Sequence, residues 1–251
     1  MQKSKTQEGI LGILENYVRK FPLVYYFVRK IIIKFNIFEE DFKILKKIFG
    51  HNKINIIDIG ASDGISANFF YKNLNVNKIY CFEPHKTFLK NLNKLKKKYS
   101  NLIINDYGIS NKKEDLYVYV PYLNCFGYNL ELLTYTFYNK KELLDQIKLD
   151  FISYNKIKIK KIKLKLRKFK VVKRKIDLIK LDVNGYELEI VKSLIIQIKK
   201  DKPLLIIENN SKINEISAML TRFGYKSFCN INNSLVKYSN QKVLDIFFIK
   251  K

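Results

Sequence analysis

The fold of this chain is decided by the stretch Ile56-Ile57-Asp58-Ile59-Gly60-Ala61-Ser62-Asp63-Gly64. An apolar run that ends in a carboxylate predicts a buried strand, and the small residues after it predict a turn that opens a helix. The amides at the start of such a helix are expected to point at a ligand lying over the strand ends. The alternative interpretation is a structural turn that Asp63 caps.

The two glycines of this turn carry weight because the 251 residues include only 9 glycines. Their spacing differs from the G-x-G-x-x-G of nicotinamide binders, since Ser62 and Ile65 occupy the third and sixth positions. A turn with fewer glycines brings the backbone less close to the ligand. The spacing therefore favours a ligand without a pyrophosphate and disfavours a nicotinamide dehydrogenase.

Outward from this stretch, short apolar runs alternate with helical patterns. Strands are predicted at residues 54–59, 78–82, 102–104, 176–181 and 204–207, and helices at 62–72, 86–98, 186–198 and 212–223. This alternation is typical of a parallel sheet with helices on both faces. Two further strands, at 225–229 and 243–249, have no crossover helix between them and must pair antiparallel. We therefore predict an α/β fold with a mostly parallel, seven-stranded, Rossmann-like sheet that ends in an antiparallel hairpin.

Two parts of the chain lie outside this alternation. Residues 1–50 are predicted to be a helical N-terminal extension, either a cap on the domain at 51–251 or a basic amphipathic helix on a membrane surface. Residues 111–175 are predicted to be an insertion on the substrate side of that domain. The apolar region 23–38 is interrupted by charges and too short to span a bilayer.

The formal net charge of +25 comes from 48 Lys and Arg against 23 Asp and Glu. Such an excess suggests an anionic partner, namely nucleic acid, phospholipid or acidic glycan. However, only five basic residues are arginine, and the Lys, Ile, Asn, Phe and Tyr content is typical of AT-rich codons. Residues 156–175 hold 12 basic residues and no acid, which predicts either a solvated edge strand or a track for an anionic substrate.

The cysteine and histidine content predicts a cytoplasmic protein without a metal site. Cys81, Cys125 and Cys229 are widely spaced, so neither a disulfide framework nor a zinc site is expected. With His51 and His85 as the only histidines, a histidine-built metal site is not expected either. The first 16 residues do not have the pattern of a signal peptide.

Further polar residues follow other predicted strands. Glu83 ends the second strand 25 positions after Asp58, where an acid can accept hydrogen bonds from both hydroxyls of a ribose. Together with the first motif, Glu83 makes an adenosine-containing cofactor the leading ligand. Asp182 and Glu208 end two later strands, and Glu187 enters the helix after Asp182, although Asp182 is also suited to cap that helix. We expect all these side chains to face one crevice.

These stretches together resemble the FkbM-type family of S-adenosylmethionine-dependent methyltransferases. The resemblance runs through most of residues 38–249 and is carried by residues 38–42, 57–64, 82–84, 108–110 and 180–187. It implies the class I methyltransferase fold and an S-adenosylmethionine site. The cofactor-binding residues that it implies are Asp58, Gly60, Ala61, Ser62, Asp63 and Gly64 near the methionine part, Glu83 and Pro84 at the ribose, and Gly108 and Ile109 in a turn near adenine.

The resemblance also implies the reaction, since the family mostly methylates oxygen on sugars, glycans and small natural products. An alcohol must lose a proton, and we expect Asp182 to be the base, with Glu208 second and Glu187 third. Two positions depart from the family: Asn184 replaces a usual glutamate, and Tyr186 replaces a small residue. The alternatives are an RNA ribose methyltransferase and a non-catalytic module that binds glycans or a membrane surface.

Overall fold

The computed structural model describes residues 20–35 and 40–250. The predicted extension at 1–50 therefore lies partly outside the described residues, as does part of the 38–42 run. The described residues divide into two compact units. The main unit comprises residues 40–114 and 165–250, and the small unit comprises residues 20–35 and 115–164.

Twelve strands and seven α-helices are formed by the described residues. The strands are β1 (Ile54–Ile59), β2 (Val76–Phe82), β3 (Leu102–Asn105), β4 (Gly108–Ser110), β5 (Glu114–Cys125), β6 (Tyr128–Glu131), β7 (Lys158–Lys168), β8 (Leu178–Leu181), β9 (Leu204–Glu208), β10 (Tyr225–Ile231), β11 (Ser234–Lys237) and β12 (Asp245–Lys250). The helices are α1 (Pro22–Phe35), α2 (Ile44–Phe49), α3 (Ile65–Asn73), α4 (Lys86–Lys98), α5 (Lys140–Asp150), α6 (Glu187–Asp201) and α7 (Ile213–Thr221). None of these helices combines the length and apolar character needed to cross a membrane.

The main unit is built on an eight-stranded sheet in the order β11-β10-β12-β9-β8-β1-β2-β3. The five strands from β9 to β3 in this order pair in parallel, and β12, β10 and β11 each pair antiparallel with their neighbours. The sheet places the carboxyl ends of β9, β8, β1 and β2 side by side. This edge is where an open α/β sheet binds its ligands.

Apolar residues on both faces of the sheet explain why its central strands are buried. Alternate residues point to opposite faces, so Ile57 and Ile179 belong to one hydrophobic cluster and Ile56 and Leu178 to the other. Helices α6 and α7 pack against the first cluster, and α2, α3 and α4 pack against the second. The predicted arrangement, a mostly parallel sheet with helices on both faces, is confirmed.

The sheet has one strand more than the seven that the sequence predicted. The predicted antiparallel pair is present as β10 and β12, and β11 adds to the outer side of β10. Asn232 and Asn233 both have positive φ, at 51° and 58°, and form the two-residue turn between β10 and β11. Asparagine tolerates this backbone conformation, so the pair forms a hairpin turn. The sequence pattern predicts only a polar loop at residues 230–233 and no strand at the position of β11.

The small unit has its own hydrophobic cluster. In α1, Tyr25 is buried and makes edge-to-face contacts with Tyr135 and Phe151, at centroid distances of 5.7 and 6.2 Å. Strands β5 and β6 form an antiparallel hairpin, and Leu143 and Ile147 of α5 complete the cluster.

Strand β7 has one apolar face and one basic face, as its sequence predicted. Leu164 and Leu166 are buried, whereas Lys161, Lys163 and Lys165 are exposed. The short segment Leu166–Lys168 pairs in parallel with β4 inside the main unit. Lys161, Lys163 and Lys165 thus lie on a solvated face.

Candidate functional site

The predicted site residues meet at the carboxyl edge of the main sheet. Asp58 lies near the end of β1, Glu83 follows β2, Asp182 follows β8 and Glu208 ends β9. These four strands are neighbours in the order β9-β8-β1-β2. The structure therefore brings together the four carboxylates that the sequence assigned to one crevice.

Gly60 joins two sides of this edge through a close backbone contact. Its φ is +74°, and a Cβ built on it would overlap the carbonyl oxygen of Asp182 and lie 2.9 Å from the carbonyl carbon. The amide of Asp182 donates to the carbonyl of Ile59 at 3.1 Å. Only glycine fits this position, because both the space and the backbone angle exclude a side chain.

The turn after β1 uses its amides within the protein. Gly60 donates to Phe82 O at 3.0 Å, Gly64 donates to Ala61 O at 2.9 Å, and Ile65 donates to Asp63 Oδ1 at 3.4 Å. The expectation that these amides point at a ligand is therefore wrong for the ones that donate internally. Helix α3 also begins at Ile65, three residues later than predicted, because Ser62 and Gly64 have positive φ.

Glu83 is buried and held by two backbone amides. Ser62 donates to Glu83 Oε2 at 2.9 Å, and His85 donates to Glu83 Oε1 at 2.8 Å. Burial raises the pKa of Glu83 to about 7, although the two amides oppose this rise. Each carboxylate oxygen has a further lone pair available, so Glu83 can accept hydrogen bonds from two hydroxyls of a ligand.

Asp58 is fully buried and only partly hydrogen-bonded. Its Oδ2 accepts from Ser66 Oγ at 2.6 Å, whereas its Oδ1 has no hydrogen-bond partner and lies 3.8 Å from Lys180 Nζ. Burial raises the pKa of Asp58, and the Lys180 ammonium and the Ser66 hydroxyl lower it. Such a carboxylate can accept one more donor.

Lys180 is a buried residue of this edge that was not among the predicted site residues. It pairs in register with Asp58 across β1 and β8, and its Nζ donates to Asp182 Oδ2 at 3.2 Å. Burial opposes the ammonium, yet three aspartates outweigh burial and raise the pKa of Lys180 above its ordinary value; they are Asp182, Asp58 and Asp245. The available signal was a single lysine in the apolar run 176–181.

The three predicted bases lie in different surroundings. The Asp182 side chain is 46% exposed, and Glu208 is half-buried. Glu187 is fully buried and accepts hydrogen bonds from the amides of Val183 and Gly185 at 3.0 and 3.1 Å, and from Asn210 Nδ2 at 2.7 Å. Burial raises the pKa of Glu187, with the amides opposing it. Glu187 thus ties the loop after β8 to the loop after β9.

The two positions that depart from the family lie in the loop after β8. Asn184 has a φ of +54°, a conformation that asparagine tolerates better than most residues. The Tyr186 hydroxyl lies 3.4 Å from Glu114 Oε1, and Ser110 Oγ donates to the same oxygen. Among the described residues, no group of three or more His, Cys, Asp or Glu side chains could hold a metal ion.

Gly108 and Ile109 lie in a strand and not in the predicted turn. Both are buried in β4, and Ile109 belongs to a core cluster of the sheet. A Cβ on Gly108 would meet the Leu166 side chain and would lie 3.5 Å from Pro84 Cγ. Pairing with Leu166 of β7 explains the difference, because that partner lies 58 positions away along the chain.

The amino-acid sequence matches the model of one protein family. Residues 58–227 match the methyltransferase FkbM domain, which is more than half of the 251-residue chain. The matched region contains Asp58, Glu83 and Asp182, the carboxylates at three neighbouring strand ends. Among curated proteins, no sequence matches this chain.

Among solved structures, the chain is similar to methyltransferase FkbM from Methylobacillus flagellatus KT, with a TM-score of 0.50 and 14% identity. The similarity covers 78% of this chain and 43% of that chain, so this chain spans less than half of that protein's length. At this identity the similarity shows the fold.

Two other structures are less similar. Precorrin-6y C5,15-methyltransferase from Geobacter metallireducens GS-15 has a TM-score of 0.40 and 11% identity, over 82% of each chain. TrmK from M. capricolum, in complex with S-adenosyl-homocysteine, has a TM-score of 0.37 and 12% identity, over 85% of this chain and 67% of that chain. These scores are too low to support an inference. The family match and the Rossmann-like sheet agree, and the chain belongs to the FkbM family of methyltransferases.

Proposed function

We propose that this methyltransferase transfers a methyl group from S-adenosylmethionine to a sugar hydroxyl of a glycan, polysaccharide or small natural product. The observation that carries the proposal is the meeting of Asp58, Glu83 and Asp182 at the ends of three neighbouring strands in a chain of the FkbM family. The family resemblance supports a sugar hydroxyl as the acceptor.

The residues present fit the cofactor. Asp58 Oδ1 is a buried acceptor without a hydrogen-bond partner, which suits a cationic ammonium donor in the methionine part. Glu83 keeps two acceptor positions for the ribose hydroxyls, and each charge-assisted hydrogen bond contributes roughly 1.5–3 kcal/mol. In the turn from Gly60 to Gly64, the amides of both glycines donate to carbonyl groups of the protein. These two amides are therefore not available to bind a pyrophosphate. We propose that adenine lies beside Gly108 and Ile109, at the start of β4.

When bound, the cofactor would supply an already activated methyl group. The task left to the protein is to hold the acceptor oxygen in place and to remove its proton. We propose that a carboxylate oxygen of Asp182 accepts this proton, because Asp182 reaches solvent at the strand end. Glu208 is the second candidate. Glu187 is proposed to hold two loops, since its carboxylate already accepts three hydrogen bonds.

The test is incubation of the protein with methyl-labelled S-adenosylmethionine and three acceptor pools: nucleotide sugars, surface glycans and total RNA. Label in a sugar or glycan supports the proposal. Label in RNA alone, or binding of no cofactor by calorimetry, would contradict it.

A second candidate function is ribose methylation of RNA, which the exposed lysines of β7 favour. Several of these lysines are already engaged: Lys163 pairs with Asp115 at 2.7 Å, Lys160 pairs with Glu131, and Lys161 lies over the Tyr117 ring at 4.2 Å. A gel shift with RNA that weakens with salt would support RNA binding. No shift at low salt would remove it.

We also propose that the small unit contacts an anionic membrane surface. Opposite the buried Tyr25, the exposed apolar side chains among the described residues of α1 are those of Leu23, Val24, Phe27 and Ile31. The sequence from 16 to 38 contains five basic residues and no acid, a composition that favours anionic lipid. Cys81, Cys125 and Cys229 form no disulfide with one another, which agrees with a cytoplasmic side for this contact.

Vesicle sedimentation tests this contact. The protein is expected to sediment with phosphatidylglycerol vesicles, less so at high salt, and the V24S/F27S/I31S variant is expected to stay in solution. I196S is the control, because Ile196 is exposed in the main unit. Equal sedimentation of both variants would contradict the proposal. So would light scattering that shows a dimer for the wild type and a monomer for V24S/F27S/I31S, because a second copy would then cover the α1 face.

A further inference from the structure

Lys180 is the one residue of β8 that is not apolar. The strand reads Leu178-Ile179-Lys180-Leu181, and all four residues are buried. Lys180 points to the same sheet face as Leu178, because alternate residues share a face. Asp58, level with it on β1, and Asp182, two residues further on, share that face.

Fold stability alone does not explain this lysine. Replacing a buried ion pair by apolar residues of similar size is often neutral or stabilising, and the neighbouring positions of β8 are apolar already. Asp58 needs a compensating cation because it is fully buried and its Oδ1 has no hydrogen-bond partner. Asp182 has no such need, since water reaches about half of its side chain.

The distances nevertheless favour Asp182. Lys180 Nζ lies 3.2 Å from Asp182 Oδ2 and 3.8 Å from Asp58 Oδ1, so the hydrogen bond goes to the carboxylate that water already solvates. A hydrogen bond from a buried donor to a partly exposed carboxylate favours one direction of that carboxylate. The ammonium itself stays protonated and is not a base.

We propose that Lys180 is a positioning residue that fixes the Asp182 carboxylate at the carboxyl edge, with Asp58 as its buried anchor. This inference deepens the proposed function and rests on Asp182 as the proton acceptor. Gly60 supports the same arrangement, because its backbone packs against the Asp182 carbonyl and holds the Asp182 backbone in place. The direction of the Asp182 carboxylate then depends on its side-chain rotamer.

Crystal structures of the wild type and of Lys180→Met test the positioning without an acceptor. Methionine keeps the length of the stem and removes the charge. We expect one ordered Asp182 rotamer in the wild type, and a rotated or disordered carboxylate in the variant. Lys192→Met is the control, since Lys192 forms an exposed pair with Glu189 at 2.6 Å. An unchanged, ordered Asp182 in Lys180→Met would overturn the proposal.

If Lys180→Met alone does not fold, Asp58→Asn/Lys180→Met removes the buried carboxylate charge together with the ammonium. Asp182 is expected to be displaced in this double variant and ordered in Asp58→Asn. An ordered Asp182 in both would show that Lys180 only neutralises Asp58, and would overturn the proposal.

A double-mutant cycle of kcat then separates this inference from the proposed function. The substrate in these measurements is the acceptor that becomes labelled. Lys180→Met is expected to lower kcat about 100-fold in the wild type and less than about 3-fold in Asp182→Asn. The dissociation constant of the cofactor should change little. Equal losses in both backgrounds would overturn the role of Lys180. Full kcat in Asp182→Asn would instead overturn Asp182 as the base.

Discussion

Two regions of this protein, the carboxyl edge beside β8 and strand β7, differ in how their charged side chains are surrounded. The edge beside β8 has few charges, but Asp58 and Lys180 are buried there and act on each other through the protein interior. Strand β7 has many more charges, and its lysines face water. Coulomb interactions are several times stronger in the first environment than in the second. The position of a charge therefore says more about function here than the total of +25.

Asp182→Asn is expected to have the largest effect, because it removes the proposed base from the buried-charge edge. We expect kcat to fall roughly 10²–10⁴-fold with the labelled acceptor, while calorimetry finds unchanged cofactor affinity. Asp145→Asn in α5 is the matched control, as Asp145 is exposed. Full turnover in Asp182→Asn would move the base to Glu208.

Gly60→Ala is expected to come next, because the new Cβ would collide with the backbone of Asp182. We expect the free energy of unfolding to fall by about 3 kcal/mol or more, measured by denaturant titration. Gly127 offers a matched control: its φ is +80°, and a Cβ there meets nothing within 4 Å. Gly127→Ala should cost only about 1 kcal/mol. Equal losses would mean that backbone angle, and not packing, governs Gly60.

The raised pKa of Glu83 predicts that cofactor binding depends on pH. Hydroxyl donors favour the carboxylate, and the pKa of Glu83 in the free protein is about 7. The affinity should therefore be constant above about pH 8 and fall up to about 10-fold per pH unit below pH 7. Calorimetry at a series of pH values from about 5.5 to about 8.5 measures this dependence.

Two variants check the assignment of that pH dependence. Glu83→Gln should bind about 10–100-fold more weakly above pH 8 and lose the dependence. Glu215→Gln, at an exposed position of α7, should keep it. An unchanged pH profile in Glu83→Gln would assign the titration to another group.

Lys163→Met is expected to have the smallest effect. Its ion pair with Asp115 is solvated on both sides, so thermal unfolding and cofactor binding should match the wild type. A clear loss of acceptor labelling in this variant would show that β7 contacts the acceptor, and the difference between the two regions would be smaller than we infer.

The strand ends could be predicted from the sequence because each is a local pattern. Asp58, Glu83 and Asp182 each follow a short apolar run, and parallel strands bring such ends to one edge. The role of Lys180 could not be predicted in this way. Its partner Asp58 lies 122 positions away, and only the register of β1 against β8 puts the two side chains together.

Gly108 and Asn232 show two other reasons why the structure differs from what the sequence predicted. Gly108 belongs to a strand of three residues, too short for any periodicity to reveal. Asn232 and Asn233 form a hairpin turn without glycine, so the sequence pattern predicts a polar loop at residues 230–233 and no strand after it. Glu187 is the third candidate base by its position after β8, but position along the chain does not tell whether a carboxylate already accepts hydrogen bonds within the protein.

The contact of Gly60 with Asp182 has a consequence for how this protein can evolve. The turn beside the proposed cofactor site and the loop that carries the proposed base are in backbone contact, so a shift of one against the other would disrupt the close packing of Gly60 on the Asp182 carbonyl. A new acceptor cannot be accommodated by shifting one against the other. Changes of acceptor must instead arise in the residues around this contact, such as Tyr186 and Glu114, where side chains can change without disturbing the backbone.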